Sequence, residues 1–104
     1  MKSGLKSRDR QYIVNAIKQF PEIEQATLFG SRALASHKKG SDVDLAVSGK
    51  QISHNTVAHL RAMLNEDLPL PYFFDVVCYE RIANENLKRH IDEKGIVIFD
   101  SKKN

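Results

Sequence analysis

Apolar and polar positions follow two periods along this chain. Ile13, Ala16, Ile17 and Phe20 recur at i, i+3, i+4 and i+7, the single stripe of an amphipathic helix. Ser7 is placed to cap that helix, and Pro21 stops it. Gln25–Phe29 reads as a short strand running into Gly30-Ser31. Residues 32–41 hold a helical turn at most, followed by the polar loop Ser36-His37-Lys38-Lys39-Gly40-Ser41. From Asp42 to Val47 the alternation is strict: Val43, Leu45 and Val47 point one way, Asp42, Asp44 and Ala46 the other. Ser53 then caps a second helix with Val57, Leu60 and Leu64 on one face. Pro69 and Pro71 bracket a connection, and Tyr72–Tyr79, rich in aromatic and β-branched residues, reads as a third strand. A third helix is predicted from Asn84 to Lys94, with Leu87 and Ile91 inward and Gly95 at its C′ position. Ile96–Phe99 supplies a fourth strand.

The order helix, strand, strand, helix, strand, helix, strand predicts a mixed α/β domain: one small sheet with the helices packed on one side. The 104 residues allow one domain, drawn at 1–100, with Ser101–Asn104 expected to fray as a tail. At 41% hydrophobic and 28% charged residues the composition is that of an ordinary globular chain. No apolar run approaches the ~20 residues of a membrane span. The basic start, Met1 to Lys6, lacks an apolar stretch behind it, so no secretory signal is expected. A single cysteine, Cys78, excludes an internal disulfide and a multi-cysteine zinc site, and the expected compartment is the cytoplasm. A net charge of +3 admits phosphate-bearing ligands but argues against direct nucleic-acid binding.

The candidate chemistry starts at Asp42-Val43-Asp44. Two residues apart on a strand, both carboxylates leave the same face with Cα atoms about 6.5 Å apart. Two ionised carboxylates so placed repel each other unless a cation lies between them, and oxygen donors suit Mg²⁺ or Mn²⁺. Alone, such a pair is more often a solvated strand face. Gly30-Ser31, ten residues upstream, adds a turn in which glycine lets a phosphate approach the backbone and serine offers its hydroxyl. Arg32, Lys38 and Lys39 are cations near that turn; alone they are ordinary surface charges. Asp75, set among Phe73, Phe74, Val76 and Val77, is either an edge-strand acid facing solvent or a third carboxylate beside the pair. His37, His54, His59 and His90 show no metal-ligand spacing, and surface or capping roles fit them best. Cys78 reads as a core residue, and strand core suits Tyr72, Phe73, Phe74 and Tyr79 better than base stacking.

Gly30-Ser31-Arg32-Ala33, then Gly40-Ser41-Asp42-Val43-Asp44-Leu45-Ala46-Val47, then Asp75 in Phe74-Asp75-Val76-Val77, resembles the nucleotidyltransferase superfamily of DNA polymerase beta, in particular the minimal nucleotidyltransferases. The resemblance implies the polymerase-beta-like nucleotidyltransferase fold. It implies two divalent ions, Mg²⁺ or Mn²⁺, held by Asp42 and Asp44 with Asp75 completing the catalytic ion's site. It implies a nucleoside triphosphate, ATP first, bound through Gly30 and Ser31 with help from Arg32, Lys38 or Lys39. Where relatives commonly continue with a basic residue and a glycine, Leu34, Ala35 and Ser36 stand here, so a triphosphate-binding cation is either missing or replaced by Lys38 or Lys39, and catalytic activity stays open. The implied partner is a HEPN-domain protein, a toxin to which this chain would be the antitoxin, with AMP transferred to a tyrosine hydroxyl on it. A non-catalytic subunit that neutralises such a partner by binding remains an alternative, as does a different metal-dependent enzyme such as a phosphodiesterase or a D-x-D glycosyltransferase. Homodimerisation stays open.

Overall fold

In the structure, a computed structural model, residues 5–30 and 42–103 are described. Helix α1 is Ser7–Lys18, strand β1 Gln25–Phe29, β2 Val43–Ser48, helix α2 His54–Ala62, β3 Phe74–Cys78, helix α3 Glu85–Lys94 and β4 Ile96–Asp100. The order is the expected one. A turn of π-helix, Met63–Asp67, prolongs α2, and a 3₁₀ turn, Tyr79–Arg81, follows β3.

Local chemistry explains most of the boundaries. Ser53 caps α2 as predicted: its hydroxyl accepts from the Thr56 N–H at 3.2 Å, and Thr56 Oγ1 accepts from the Ser53 N–H at 3.3 Å. Asn84 caps α3 through the Leu87 N–H at 3.1 Å. Ser7, expected as the cap of α1, lies inside the helix; Lys6 holds the cap position with no side-chain bond. Gly95 ends α3, but at φ −65° and ψ 150° rather than in the left-handed conformation of a C′ glycine. Its role is close approach, since a Cβ there would lie 2.5 Å from Thr27 Cγ2. The expected fraying tail begins with a turn: Ser101 N–H donates to the Glu24 carbonyl and Lys103 N–H to the Asp100 carbonyl.

The four strands form one mixed sheet in the order β3-β2-β1-β4. β1 runs antiparallel to both β2 and β4, and β2 parallel to β3. One face carries Ala26, Leu28, Val43, Leu45, Val47, Phe74 and Val76, buried beneath Ile13 and Ile17 of α1 and Leu60 of α2. The helices are not confined to that face. α3 packs on the other, where Ile91 sits with Phe29 and Ala46, flanked by Val77 and Leu87. The reason lies in β1 and β2, whose outward positions include the apolar Phe29 and the small Ala46, leaving a seat for Ile91. Among the described residues the sheet is thus covered on one face and half covered on the other, and the half without a helix carries Asp44 and Asp75. No helix among the described residues is long and apolar enough to cross a membrane.

Candidate functional site

Parallel pairing of β2 with β3 sets Asp44 directly opposite Asp75. The partners on either side of that pair, Val43 with Phe74 and Leu45 with Val76, point into the core, so both carboxylates leave the sheet on its other face. Asp42, one residue before β2, continues that side, and the Val43 N–H donates to the Phe73 carbonyl at 2.9 Å, carrying the pairing one step further. Asp44 is half-buried; Asp42 and Asp75 are exposed. Burial pushes the Asp44 carboxyl above its usual range, and the charges of Asp75 and Asp42 push it the same way. The charges of Asp42 and Asp75 are thus felt at Asp44.

They do not form a finished cage. Among the described residues no three Asp, Glu, His or Cys side chains are arranged to enclose an ion. Asp75 carries a cation instead: Arg61 Nε of α2 lies 3.9 Å from its Oδ1, while Arg61 Nη2 donates to the Val76 carbonyl at 2.9 Å. The donor set is nonetheless that of a hard divalent cation, all carboxylate oxygen, with one member partly desolvated, and so fits Mg²⁺ or Mn²⁺.

Gly30 closes β1 beside this cluster. At φ +75° it lies in the left-handed region, and a Cβ there would lie 2.5 Å from Asp44 Oδ2. Only glycine meets both demands. The Gly30 N–H donates to Nε2 of His90 on α3 at 2.8 Å, and the His90 ring stands edge-on to Phe29 with centroids 6.2 Å apart. Of the residues the sequence singled out, Ser31, Arg32, Lys38 and Lys39 lie outside the described residues, as do Leu34, Ala35, Ser36 and His37. Arg61 and His90 are the neighbours that the sequence reading missed; neither belongs to a motif, and a long-range contact leaves no local pattern.

The aromatic positions divide. Phe74 is core at 0% exposure, whereas Phe73, just before β3 and two residues from Asp75, is 60% exposed, contrary to its expected place in the strand core. Tyr72 donates to the buried carboxylate of Asp9 at 2.8 Å. Tyr79 donates to Asp92 at 2.7 Å, which raises the pKa of its phenol. Cys78 is buried, as expected.

The sequence profile of the family described as "Polymerase beta, Nucleotidyltransferase" matches residues 11–104. No curated protein matches the chain. Among solved structures, one chain of a toxin-antitoxin crystal structure with AMP-PNP superposes with a TM-score of 0.74 at 20% identity, over 90% of this chain and 75% of that one. A chain of the toxin-antitoxin MntA-HepT gives 0.71 at 18% identity, over 94% and 75%. A chain from the tri-AMPylated Shewanella oneidensis HEPN toxin in complex with MNT antitoxin gives 0.71 at 18%, over 95% and 76%. At these identities the likeness is one of fold.

Proposed function

The chain belongs to the polymerase beta nucleotidyltransferase family, and on that premise we propose that it is a metal-dependent nucleotidyltransferase that moves AMP from ATP onto a hydroxyl of a HEPN-domain protein, acting as the antitoxin of that toxin. The observation that carries the reading is the Asp44–Asp75 register, with Asp42 adjoining it and Gly30 close against Asp44. The partner and the nucleotide rest on the solved structures of like fold, one holding AMP-PNP and another an AMPylated HEPN toxin beside an MNT antitoxin.

Across the sheet the roles run in strand order. Gly30 and Ser31, at the end of β1, hold the β- and γ-phosphates, with Arg32, Lys38 and Lys39 as neighbouring cations. Asp42, just before β2, and Asp44 of β2 would hold two divalent ions, Mg²⁺ or Mn²⁺, and Asp75 of β3 would complete the site of one of them. Such ions, when bound, neutralise the triphosphate and the developing charge on the leaving oxygens. Asp75 lies on the acceptor side and receives or relays the proton of the attacking hydroxyl. The acceptor oxygen bonds to the α-phosphorus, the bond to the bridging oxygen breaks, and pyrophosphate leaves. The docked partner brings the hydroxyl to the ~3–3.5 Å that reaction requires.

Arg61 beside Asp75 favours one further reading, a subunit that binds nucleotide and neutralises its partner without transfer. Mass spectrometry of the partner after incubation with Mg·ATP separates the two. Addition of one or more AMP units, at least ~100-fold slower with Asp75→Asn, is the expected result, within the range for a lost acid–base group. A tight complex with unchanged partner mass would leave only the binding role.

A further inference from the structure

We propose that His90 is a positioning residue for the nucleotide site: its Nε2 fixes the peptide of Gly30, the glycine pressed against Asp44. The inference rests on the function proposed above.

The backbone of Gly30 is fixed by partners on two sides. Its α-carbon is pressed against Asp44 so closely that no side chain fits, and φ +75° commits it to a conformation that other residues avoid. Such a peptide keeps one orientation only if its N–H has a fixed acceptor. The β-ladder does not supply one: β1 ends at Phe29, opposite Asp44. The acceptor comes from 60 residues away, His90 Nε2 at 2.8 Å. In this bond the imidazole nitrogen is the acceptor.

The acceptor is itself held. Phe29 meets the His90 ring edge-on, and the next residue, Ile91, is buried against Phe29 and Ala46, pinning this turn of α3 to the sheet. Both ends of the bond are therefore anchored in packed structure. The Gly30 N–H points to His90, so the peptide that joins Phe29 to Gly30 is set before any nucleotide arrives. Fixing that peptide in advance removes part of the conformational cost that ligand binding otherwise carries. His90 acts through Gly30, not on the substrate.

Two substitutions separate the hydrogen bond from the packing. His90→Leu keeps an apolar body against Phe29 and removes the acceptor; His90→Gln restores an acceptor oxygen at similar reach. By calorimetry, His90→Leu should weaken Mg·ATP binding by ~10-fold, equivalent to about 1.4 kcal/mol, and His90→Gln should recover most of that loss. In AMP transfer the loss should fall on KM for ATP, with kcat retained at saturation, because Asp42, Asp44 and Asp75 are untouched. Amide exchange at Gly30 should quicken in His90→Leu and slow again in His90→Gln, a readout independent of catalysis. Equal Mg·ATP affinity in His90→Leu and wild type would overturn the proposal. So would a His90→Gln variant as weak as His90→Leu, which would assign the effect to ring packing. A wild-type protein that binds no Mg·ATP would instead defeat the function on which the proposal rests.

Discussion

Asp44 concentrates the electrostatics of the site. Burial raises its pKa first, and the charges of Asp75 and Asp42 add to the shift. A carboxyl whose folded pKa lies above its unfolded value of 3.8 contributes stability that is fully present below that value and lost as pH rises through the folded pKa. At neutral pH the metal-free protein therefore carries an ionised Asp44 at a cost. Asp44→Asn is expected to raise the Tm of the metal-free protein at pH 7 by ~2 °C, and the gain should shrink as pH falls toward 3.8. Thermal denaturation in chelator at several pH values checks this; a Tm lowered at pH 7 would mean that the carboxylate is better paired than its neighbours suggest. A lone aspartate next to a second one is visible in any sequence. Asp75 as a third carboxylate was one of two readings its apolar neighbours allowed, and the strand register places it opposite Asp44; that Arg61 would be within 3.9 Å of it was not legible, because that depends on helix docking.

At the scale of elements, β3 is the instructive case. It is an edge strand, and an edge leaves a row of backbone groups to be satisfied. Asn65, in the π-turn, takes the place of a neighbouring strand: its Oδ1 accepts from the Phe74 N–H at 2.8 Å and its Nδ2 donates to the Phe74 carbonyl at 3.0 Å. Asn65→Ala strands two polar groups beside a fully buried phenylalanine and is expected to cost about 2–4 kcal/mol in chemical denaturation. A loss under ~0.5 kcal/mol would mean that water replaces the amide at no penalty. Gly95 offers a contrast in sign. Glycine to alanine at a compatible φ such as −65° stabilises by about 0.4–1 kcal/mol when there is room. Here the new methyl would strike Thr27 and the Ile91 carbonyl, so Gly95→Ala is expected to destabilise by about 1–3 kcal/mol, measured the same way.

For the whole molecule, the distribution of cover matters most. α1 and α2 close one face of the sheet; α3 closes only part of the other, and the acids occupy the remainder. Adjacent strands lie about 4.8 Å apart, so Gly30, Asp44 and Asp75 span roughly 10 Å across β1, β2 and β3, the scale of a triphosphate and its acceptor. Nucleotide bound there would stabilise the folded chain by mass action. At Mg·ATP near 100 times its Kd the gain is about 2.7 kcal/mol, a Tm rise on the order of 10 °C. Asp44→Asn should abolish that rise. No shift in the wild-type protein at millimolar Mg·ATP would contradict the proposed ligand.

Sequence by itself determined the period of each element, and hence its type. Strict alternation from Val43 to Val47 could only be a strand with its acids on one side, and the 3–4 spacing from Ile13 to Phe20 only a helix. The turn at Gly30, the cap at Ser53 and the ordered motif pieces were legible for the same reason: each is a short-range demand of the backbone. Tertiary structure alone decided which sheet face each helix covers. An amphipathic stripe says that α3 must bury Ile91, but not that Phe29 and Ala46 on the far face would receive it. It also decided the parallel register that sets Asp75 opposite Asp44, and the docking that brings His90 to Gly30 across 60 residues. Contacts between distant segments depend on the sum of all packing, and no local pattern records that sum.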